Sequence, residues 1–137
     1  MIVRSNLFDL TVRRDELGID KHRRILAHQT RNPAAFLTIS QSVFETTIIA
    51  GNELRPALLK LFDKRAIIAE FDDLSSITIK LTKETTRVPG VYYLILKALA
   101  WEGINLIEVV STFTELTIII ENKHIDRAST VIKDLFS

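Results

Sequence analysis

The 137-residue sequence contains no cysteine, only four glycines, three prolines and a single tryptophan. Without cysteine the chain has neither a disulfide framework nor a thiolate metal site. Scarce glycine and proline, together with an apolar fraction of 47%, argue against a disordered or low-complexity chain. We therefore expect a folded chain, compatible with a reducing compartment, that forms one ordinary domain or two very small ones.

The sequence also lacks an excess of charge of either sign and has no long hydrophobic run. Eighteen Lys and Arg residues face seventeen Asp and Glu residues, so the formal net charge is +1. A general nucleic-acid coat or a strongly acidic partner usually needs a one-signed surface, and the balance favours neither. No segment approaches the roughly 18 apolar residues of a membrane span, and the first ten residues lack a secretion signal. We expect a cytoplasmic protein.

The chain contains a near-copy of one of its own segments. The run VFETTIIA at 43–50 matches FTELTIII at 113–120, with Glu, Thr, Ile and Ile at equivalent positions. A strand-like run precedes each copy, and a helix-like run that ends in Leu-Phe follows each. Because the order of elements repeats as well as the letters, we interpret the chain as two related units, residues 1–72 and 73–137.

Hydrophobic periodicity predicts the secondary structure. Residues 35–42 and 44–50 are expected to pair as a hairpin. The helix over 90–102 is the clearest element, because its apolar residues form one stripe and Gly103 follows where a left-handed cap is expected. The predicted strands are 3–12, 35–42, 44–50, 66–71, 75–81, 104–111 and 115–121, and the predicted helices are 19–30, 53–62, 90–102 and 123–136.

This order of elements predicts an α+β fold. Each unit reads β-α-β-β-α, and the first adds a final strand, which is the ferredoxin-like βαββαβ plan of an antiparallel sheet with helices on one face. The second unit ends at Ser137, so it lacks its own fourth strand. We hypothesise that the N-terminal run IVRSNLF, or a second copy of the chain, fills that place, since an unpaired sheet edge invites pairing.

The segment RVPGVYYLILKALAWEGINLIEVVSTFTELTIIIE, residues 87–121, resembles an ACT domain, the regulatory module of aspartokinases and prephenate dehydratases. The resemblance rests on Pro89-Gly90 before the helix, on Leu99-Ala100 near its end, and on the run Gly103-Ile104-Asn105-Leu106. It covers residues 76–136. The first unit fits the same plan more loosely, without a Pro-Gly opening or a Gly-Ile-Asn run.

The resemblance implies a regulatory protein without catalytic activity. ACT domains usually work as side-by-side dimers or tandem pairs, and a small effector, typically an amino acid, binds at their interface. We therefore expect an amino acid or similar metabolite as ligand and a homodimer or higher homo-oligomer. The ligand-binding positions carried over are Arg87, Val88, Pro89, Gly90 and Val91 in the loop, and Asn105, Leu106 and Ile107 in the strand.

One departure from the resemblance concerns specificity. In the phenylalanine-binding dehydratases this strand ends in a Glu-Ser-Arg-Pro motif. Here the matching place reads Val110-Ser111-Thr112-Phe113, which retains only the serine. The departure argues against a simple transfer of phenylalanine specificity.

The residues support such a site on physical grounds as well. Gly90 has no Cβ, so a ligand or a neighbouring backbone is able to approach it closely. The helix that starts there offers unpaired N–H groups and a positive dipole end to a carboxylate. Asn105 supplies both a donor and an acceptor. On the residues alone, the alternative is a tight Pro-Gly turn and an Asn105 that satisfies local backbone groups.

Signals for catalysis, metals and cofactors are weak. His22, His28 and His124 lack metal-ligand spacing, and the serines lack a recognisable base pattern. No glycine motif for phosphate or dinucleotide binding is present. We expect no catalytic residue, no metal site and no cofactor, and the repeated Glu45 and Glu115 are expected to have a structural role near hairpin turns.

Two other functions stay open. The first is an assembly module that keeps the fold without a ligand and pairs through its sheet edges. The second is a nucleic-acid-linked regulator, which would use the basic N-terminal segment and exposed aromatics such as Phe36 and Phe44. We regard nucleic acid as the weaker alternative, because acidic residues interrupt the basic cluster. That cluster consists of Arg13, Arg14, Lys21, Arg23, Arg24 and Arg31.

Overall fold

The computed structural model describes residues 1–136 and is an α+β fold, as the element order predicted. The strands form an antiparallel sheet with the order β2-β3-β1-β4-β6-β5. Within the described residues no helix is both long and apolar enough to cross a membrane. The elements are β1 (Ile2–Arg13), α1 (Ile19–Arg31), β2 (Leu37–Gln41), β3 (Glu45–Gly51), α2 (Arg55–Leu59), β4 (Ile67–Lys80), α3 (Val91–Trp101), β5 (Glu108–Ser111), β6 (Glu115–Glu121) and α4 (Ile125–Leu135).

Three elements differ from prediction by more than one or two residues at an end. The two strands predicted at 66–71 and 75–81 are one continuous strand, β4. The helix predicted at 53–62 is only Arg55–Leu59, because a 3-10 turn at Asn52–Leu54 forms its entry and Pro56 lies in its first turn. The strand predicted at 104–111 begins at Glu108, because Ile104 is drawn into the cap of α3.

The chain packs as two compact units. The first unit is Asn6–Asp73, in which the strand neighbours run β2-β3-β1-β4 and the helices are α1 and α2. In β1, Phe8, Leu10 and Val12 alternate toward one face, as expected of a strand with one face on the core. They pack with Ile25 of α1 and Leu58 of α2, so this unit has its own hydrophobic core.

The second unit combines Met1–Ser5 with the described residues from Leu74 onward. Its strand neighbours run β1-β4-β6-β5, so the start of β1 stands beside β4. The Ser75 hydroxyl donates to the Ser5 hydroxyl over 3.0 Å. Met1–Ser5, which the sequence analysis placed in the first unit, thus pack with the second. Its core contains Ile95 and Leu99 of α3 and Ile132 of α4.

β1 and β4 each contribute residues to both units. Each strand passes from one unit to the other at a residue whose backbone is left-handed. Asn6 has a φ of 63° and Asp73 a φ of 54°, and they are the only non-glycine residues with positive φ in the described chain. Asn and Asp tolerate this conformation better than other side chains. Asp73 lies inside β4, where the chain passes from the first unit to the second.

The internal repeat is visible as repeated hydrogen bonding. The backbone N–H of Ser42 donates to the Glu45 carbonyl over 2.8 Å, and that of Thr112 donates to the Glu115 carbonyl over 2.9 Å. Both glutamates open a strand directly after a hairpin turn. The two hairpins therefore share one backbone hydrogen-bond pattern, and the structural role expected of the glutamate side chains stays a prediction.

Candidate functional site

The segment between β4 and α3 winds tightly on itself. The backbone N–H of Thr86 donates to the Thr82 carbonyl and that of Val88 to the Thr85 carbonyl, each over 3.1 Å. The Thr82 hydroxyl also accepts the backbone N–H of Thr85 over 3.0 Å. Threonine hydroxyls favour such local bonds, which hold a turn without regular secondary structure. The loop is therefore shaped by its own threonines.

Gly90 ends this loop and begins α3. Its φ of 85° is left-handed, a conformation that glycine adopts without penalty. No side chain caps the helix, and its first closing bond runs from the Leu94 N–H to the Gly90 carbonyl over 3.0 Å. The N–H groups of Val91, Tyr92 and Tyr93 therefore have no partner within the helix. A Cβ placed on Gly90 would meet nothing within 4 Å, so the space above it is open.

A cleft of about 330 Å³ lies against this loop and the start of α3. Phe113, in the turn between β5 and β6, also lines the cleft. The Leu81 N–H donates to the Thr114 carbonyl over 2.6 Å, which fixes that turn beside the loop. The residues that line the cleft are Leu81, Thr85, Thr86, Val88, Gly90, Val91, Tyr92 and Phe113.

A tyrosine and a serine connect the helix to the β5–β6 hairpin. The Tyr92 hydroxyl of α3 is hydrogen bonded to the Ser111 hydroxyl at the end of β5. Ser111 is the serine that the dehydratase motif shares with this chain. The bond orients the Tyr92 ring as a wall of the cleft.

The opposite end of α3 has the cap that Gly103 predicted. Gly103 has a φ of 72°, and its N–H donates to the Ala100 carbonyl over 2.9 Å. The Ile104 N–H donates to the Leu99 carbonyl over 3.0 Å. These two bonds form a Schellman cap, in which Ile104 and Leu99 also meet in the core. The predicted left-handed cap is confirmed.

The predicted site residues divide between the two ends of α3. Val88, Gly90 and Val91 line the cleft, while Arg87 and Pro89 belong to the same loop without lining it. Residues 105–107 follow the other end of this helix, which is about 16 Å long, and they do not line the cleft. The binding role of both groups stays a prediction.

Residues 105–107 differ from one another in exposure and in hydrogen bonding. Asn105 is exposed, and within residues 1–136 its side chain has no hydrogen-bond partner. The alternative role for Asn105, satisfying a nearby backbone group, therefore finds no bond to support it. Leu106 packs against the core of its unit, and the Ile107 N–H donates to the Ile119 carbonyl over 2.9 Å.

Sequence reasoning missed several lining residues: Leu81, Thr85, Thr86, Tyr92 and Phe113. Phe113 aligns with Val43 in the repeat, so the repeated sequence gave no sign of an aromatic ring at this position. The Tyr92–Ser111 bond spans two elements, so no local pattern reveals it.

The corresponding corner of the first unit is charged. Arg13 pairs with Glu16 over 2.8 Å, and Lys21 approaches the same carboxylate at 4.0 Å. Gly18 precedes α1 as Gly90 precedes α3, but its φ is −82°. The two units therefore present different surfaces at equivalent places.

Three of the six residues in the basic N-terminal cluster are in ion pairs with acidic side chains. Besides the pairs at Glu16, Arg24 pairs with Asp20 over 3.2 Å. Phe36 lies just before β2, and Phe44 lies in the turn before β3. Neither aromatic lies on a strand, so the stacking platform that a sheet-based nucleic-acid site needs is not formed by them.

Asp63, whose carboxyl group has a shifted pKa, does not line the cleft. Among the described residues no three His, Asp or Glu side chains are grouped to hold a metal ion. The backbone N–H and the guanidinium of Arg65 hydrogen bond to Asp63 and lower the pKa of that carboxyl below its ordinary value. Asp63 precedes β4 and caps a short 3-10 turn, so it does not bear on the site.

Solved structures of aspartokinases and of their regulatory subunits have the same fold. A structure of aspartokinase alpha and beta subunits has a TM-score of 0.68 at 16% identity, covering 99% of this chain and 97% of that one. The ligand-free regulatory subunit of aspartate kinase from Thermus thermophilus has a TM-score of 0.70 at 12% identity, covering 99% and 95%. The chain therefore has the same fold as these structures, which is the fold that the resemblance to ACT domains implied.

A third similar structure is a longer enzyme. E. coli aspartokinase III in complex with lysine and aspartate has a TM-score of 0.63 at 12% identity, and the match covers 98% of this chain. This chain spans about a third of that protein, 32% of its length. No family model and no curated protein sequence matches the chain. At these identities the likeness concerns the fold.

Proposed function

We propose that this chain is a non-catalytic regulatory protein of two tandem ACT-type units that binds an amino acid at an ACT–ACT interface. The observation that supports the proposal most is the cleft lined by Phe113 and by residues of the segment from Leu81 to Tyr92, which comprises the loop after β4 and the start of α3. It lies at the end of α3 where the fold leaves backbone donors unpaired. The effector would favour the arrangement that contains its complete site, and this population shift would be the regulatory signal.

The start of α3 suits the carboxylate of an amino acid. Three N–H groups, from Val91 to Tyr93, lack a helical partner, and no side chain caps them. The helix dipole adds a partial positive charge at the same place. A carboxylate would therefore gain hydrogen bonds and charge stabilisation at the mouth of the cleft.

The strand residues support an interface. β5 is at one edge of the sheet, with β6 as its one strand neighbour, and Val109 on it is exposed. An edge strand presents backbone groups for pairing with another chain. We propose that Asn105, Leu106 and Ile107, which lead into β5, face a neighbouring ACT-type unit and complete its site, so that the chain works as a homodimer or higher homo-oligomer.

The similar enzyme from E. coli was solved with lysine and aspartate bound. That ligand pair belongs to a protein with the same fold and about three times the length. It makes an amino acid the first ligand class to test here, without identifying which one.

The test is a thermal-unfolding screen of the purified chain with each of the twenty amino acids, with oligomer mass measured on the same samples. A ligand at about 100 times its dissociation constant should add roughly 2.7 kcal/mol to the free energy of unfolding. One amino acid, or a chemically related few, should raise the melting temperature.

Asn105→Ala is the matched variant, because Asn105 is exposed and its side chain makes no bond that stabilises the free chain. Its melting temperature without ligand should equal that of the wild type, while the shift with ligand should fall. If none of the twenty amino acids shifts the wild type while a stable oligomer is present, the effector proposal is wrong and the assembly module replaces it.

A further inference from the structure

We infer that the cleft lined by Phe113 and by the segment from Leu81 to Tyr92 selects an amino acid with an apolar, uncharged side chain. The inference rests on the proposed function, since it assigns a ligand class to the same cleft. It concerns the part of the ligand that enters the cleft, as distinct from the carboxylate at the start of α3. Lysine and aspartate, the ligands in the E. coli aspartokinase III structure, would be excluded as effectors of this chain.

The cleft is lined by apolar side chains and rings together with two threonines. The buried Leu81, the two valines Val88 and Val91, and the rings of Tyr92 and Phe113 supply its apolar surface, and Thr85 and Thr86 lie beside them. A volume of about 330 Å³ is at the small end of the range for ligand sites. The space suits the side chain of one amino acid and excludes a much larger metabolite.

The polar atoms of the walls are already engaged. The Thr86 hydroxyl donates to the Lys83 carbonyl over 2.6 Å, and the Thr85 and Thr82 hydroxyls share a bond of 2.6 Å. The Tyr92 hydroxyl is bonded to Ser111. These bonds hold the loop and the hairpin in place, and they commit the Thr86 hydroxyl hydrogen to the Lys83 carbonyl.

A charged side chain would lose water in this cleft without gaining an opposite charge. Among the described residues, none that lines the cleft carries a charge. Burying an unpaired ammonium or carboxylate is costly, whereas an aliphatic or aromatic side chain gains free energy as its surface leaves water. The preference for an apolar side chain follows from this difference.

Phe113 is the residue that determines this specificity. Its side chain is 70% exposed in the free chain, so it contributes little to the core, yet it lines the cleft. The equivalent residue of the first unit is Val43, which lies in the turn between β2 and β3 and is 76% exposed. Val43 therefore provides a matched control.

The experiment is calorimetric titration of the full chain with L-leucine, L-valine and L-phenylalanine, and with L-lysine and L-aspartate. At least one apolar amino acid should bind, and the two charged ones should bind at least about tenfold more weakly or not at all. Phe113→Ala should weaken apolar binding at least about tenfold, because it removes one wall. Val43→Ala should leave the affinity within about twofold.

The outcomes separate the two proposals. If lysine or aspartate binds best and Phe113→Ala lowers its affinity, the cleft is an effector site as proposed, but the apolar ligand class is wrong. If an apolar amino acid binds equally well to the wild type and to Phe113→Ala, the cleft is not its site. If none of the five binds while an amino acid with a polar or charged side chain stabilises the chain in the screen, the apolar class is wrong and the proposed function stands. If no amino acid binds at all, the proposed function fails with it.

Discussion

At the scale of single residues, the site depends on where the backbone becomes left-handed. Gly90 was identified in the sequence from its Pro-Gly context, and the structure gives it the positive φ that only glycine adopts easily. The same reasoning applies to Gly103, which the helix pattern placed correctly at a cap. Local backbone requirements of this kind are readable from sequence, because they depend on a few neighbouring residues.

Gly90→Ala should lower the free energy of unfolding by about 1–2 kcal/mol. Alanine in a left-handed conformation is strained, and nothing near Gly90 would clash with the added methyl group, so the backbone is the only cause. Gly18→Ala is the matched control, because Gly18 also precedes the first helix of a unit and has open space around it, but has a negative φ. Urea unfolding should show a change of less than about 0.5 kcal/mol for Gly18→Ala.

Equal losses in the two variants would mean that the shared position before a helix, rather than the φ of Gly90, sets the cost. In that case the left-handed turn would not be a rigid feature of the cleft.

The contacts of Phe113 and Tyr92 with other elements could not be predicted from the sequence around each residue. Both line the cleft through contacts between segments about twenty residues apart in sequence. Helical spacing placed Tyr92 on α3, but gave no sign that its hydroxyl would reach Ser111. A prediction from periodicity assigns a face to a residue, and it does not assign a partner on another element.

At the scale of elements, equivalent strands of the repeat share a pair of threonines. Thr11 and Thr47 have their hydroxyl oxygens 2.8 Å apart, as do Thr78 and Thr117. The register pairs these residues directly, Thr11 with Thr47 and Thr78 with Thr117. Thr47 and Thr117 are equivalent in the repeated sequence, so the letters did indicate a shared structural contact.

Thr117→Val should cost about 1–2 kcal/mol, because the Thr78 hydroxyl loses its partner in a mostly buried place. Thr78→Val should cost a similar amount. The double variant should lose less free energy of unfolding than the sum of the two single variants, with a coupling energy on the order of 1 kcal/mol. The reason is that no buried hydroxyl then remains without a hydrogen-bond partner. Urea unfolding of the four proteins gives the complete cycle.

The pair in the first unit is an internal control for this cycle. The Thr11 hydroxyl also donates to the Asp9 carboxylate over 3.2 Å, so Thr47→Val leaves it with a partner. Thr47→Val should therefore be milder than Thr117→Val. Strictly additive costs in the Thr78–Thr117 cycle would show that the short contact contributes nothing to stability.

Element boundaries were predicted less well than element types. β5 begins four residues later than expected, because the Schellman cap of α3 places Ile104 in the core before the chain turns into the strand. Likewise, α2 is shortened by the 3-10 turn that precedes it. These ends are decided by hydrogen bonds between neighbouring elements, and such bonds leave little trace in the spacing of apolar residues.

At the scale of the whole molecule, the sequence predicted the α+β class and the internal repeat. It also raised the question of what completes the second sheet, and Met1–Ser5 pack in that unit beside β4. The unit that holds the cleft therefore depends on residues from both ends of the chain. Contacts between such distant segments are the least visible feature in a single sequence.

The regulatory account relies on one molecular event, the binding of an amino acid in the cleft beside Gly90. For a chain of 15.6 kDa, the amide signals of a ¹⁵N-labelled sample report where a ligand binds. The most direct measurement is the change in these signals on titration with the amino acid that stabilises the chain most.

The account predicts that the largest changes fall on residues 81–93 and around Phe113, with a second group at residues 105–107 if a neighbouring unit completes the site. Changes confined to α1 or to the corner near Glu16, with none in the loop before α3, would contradict it.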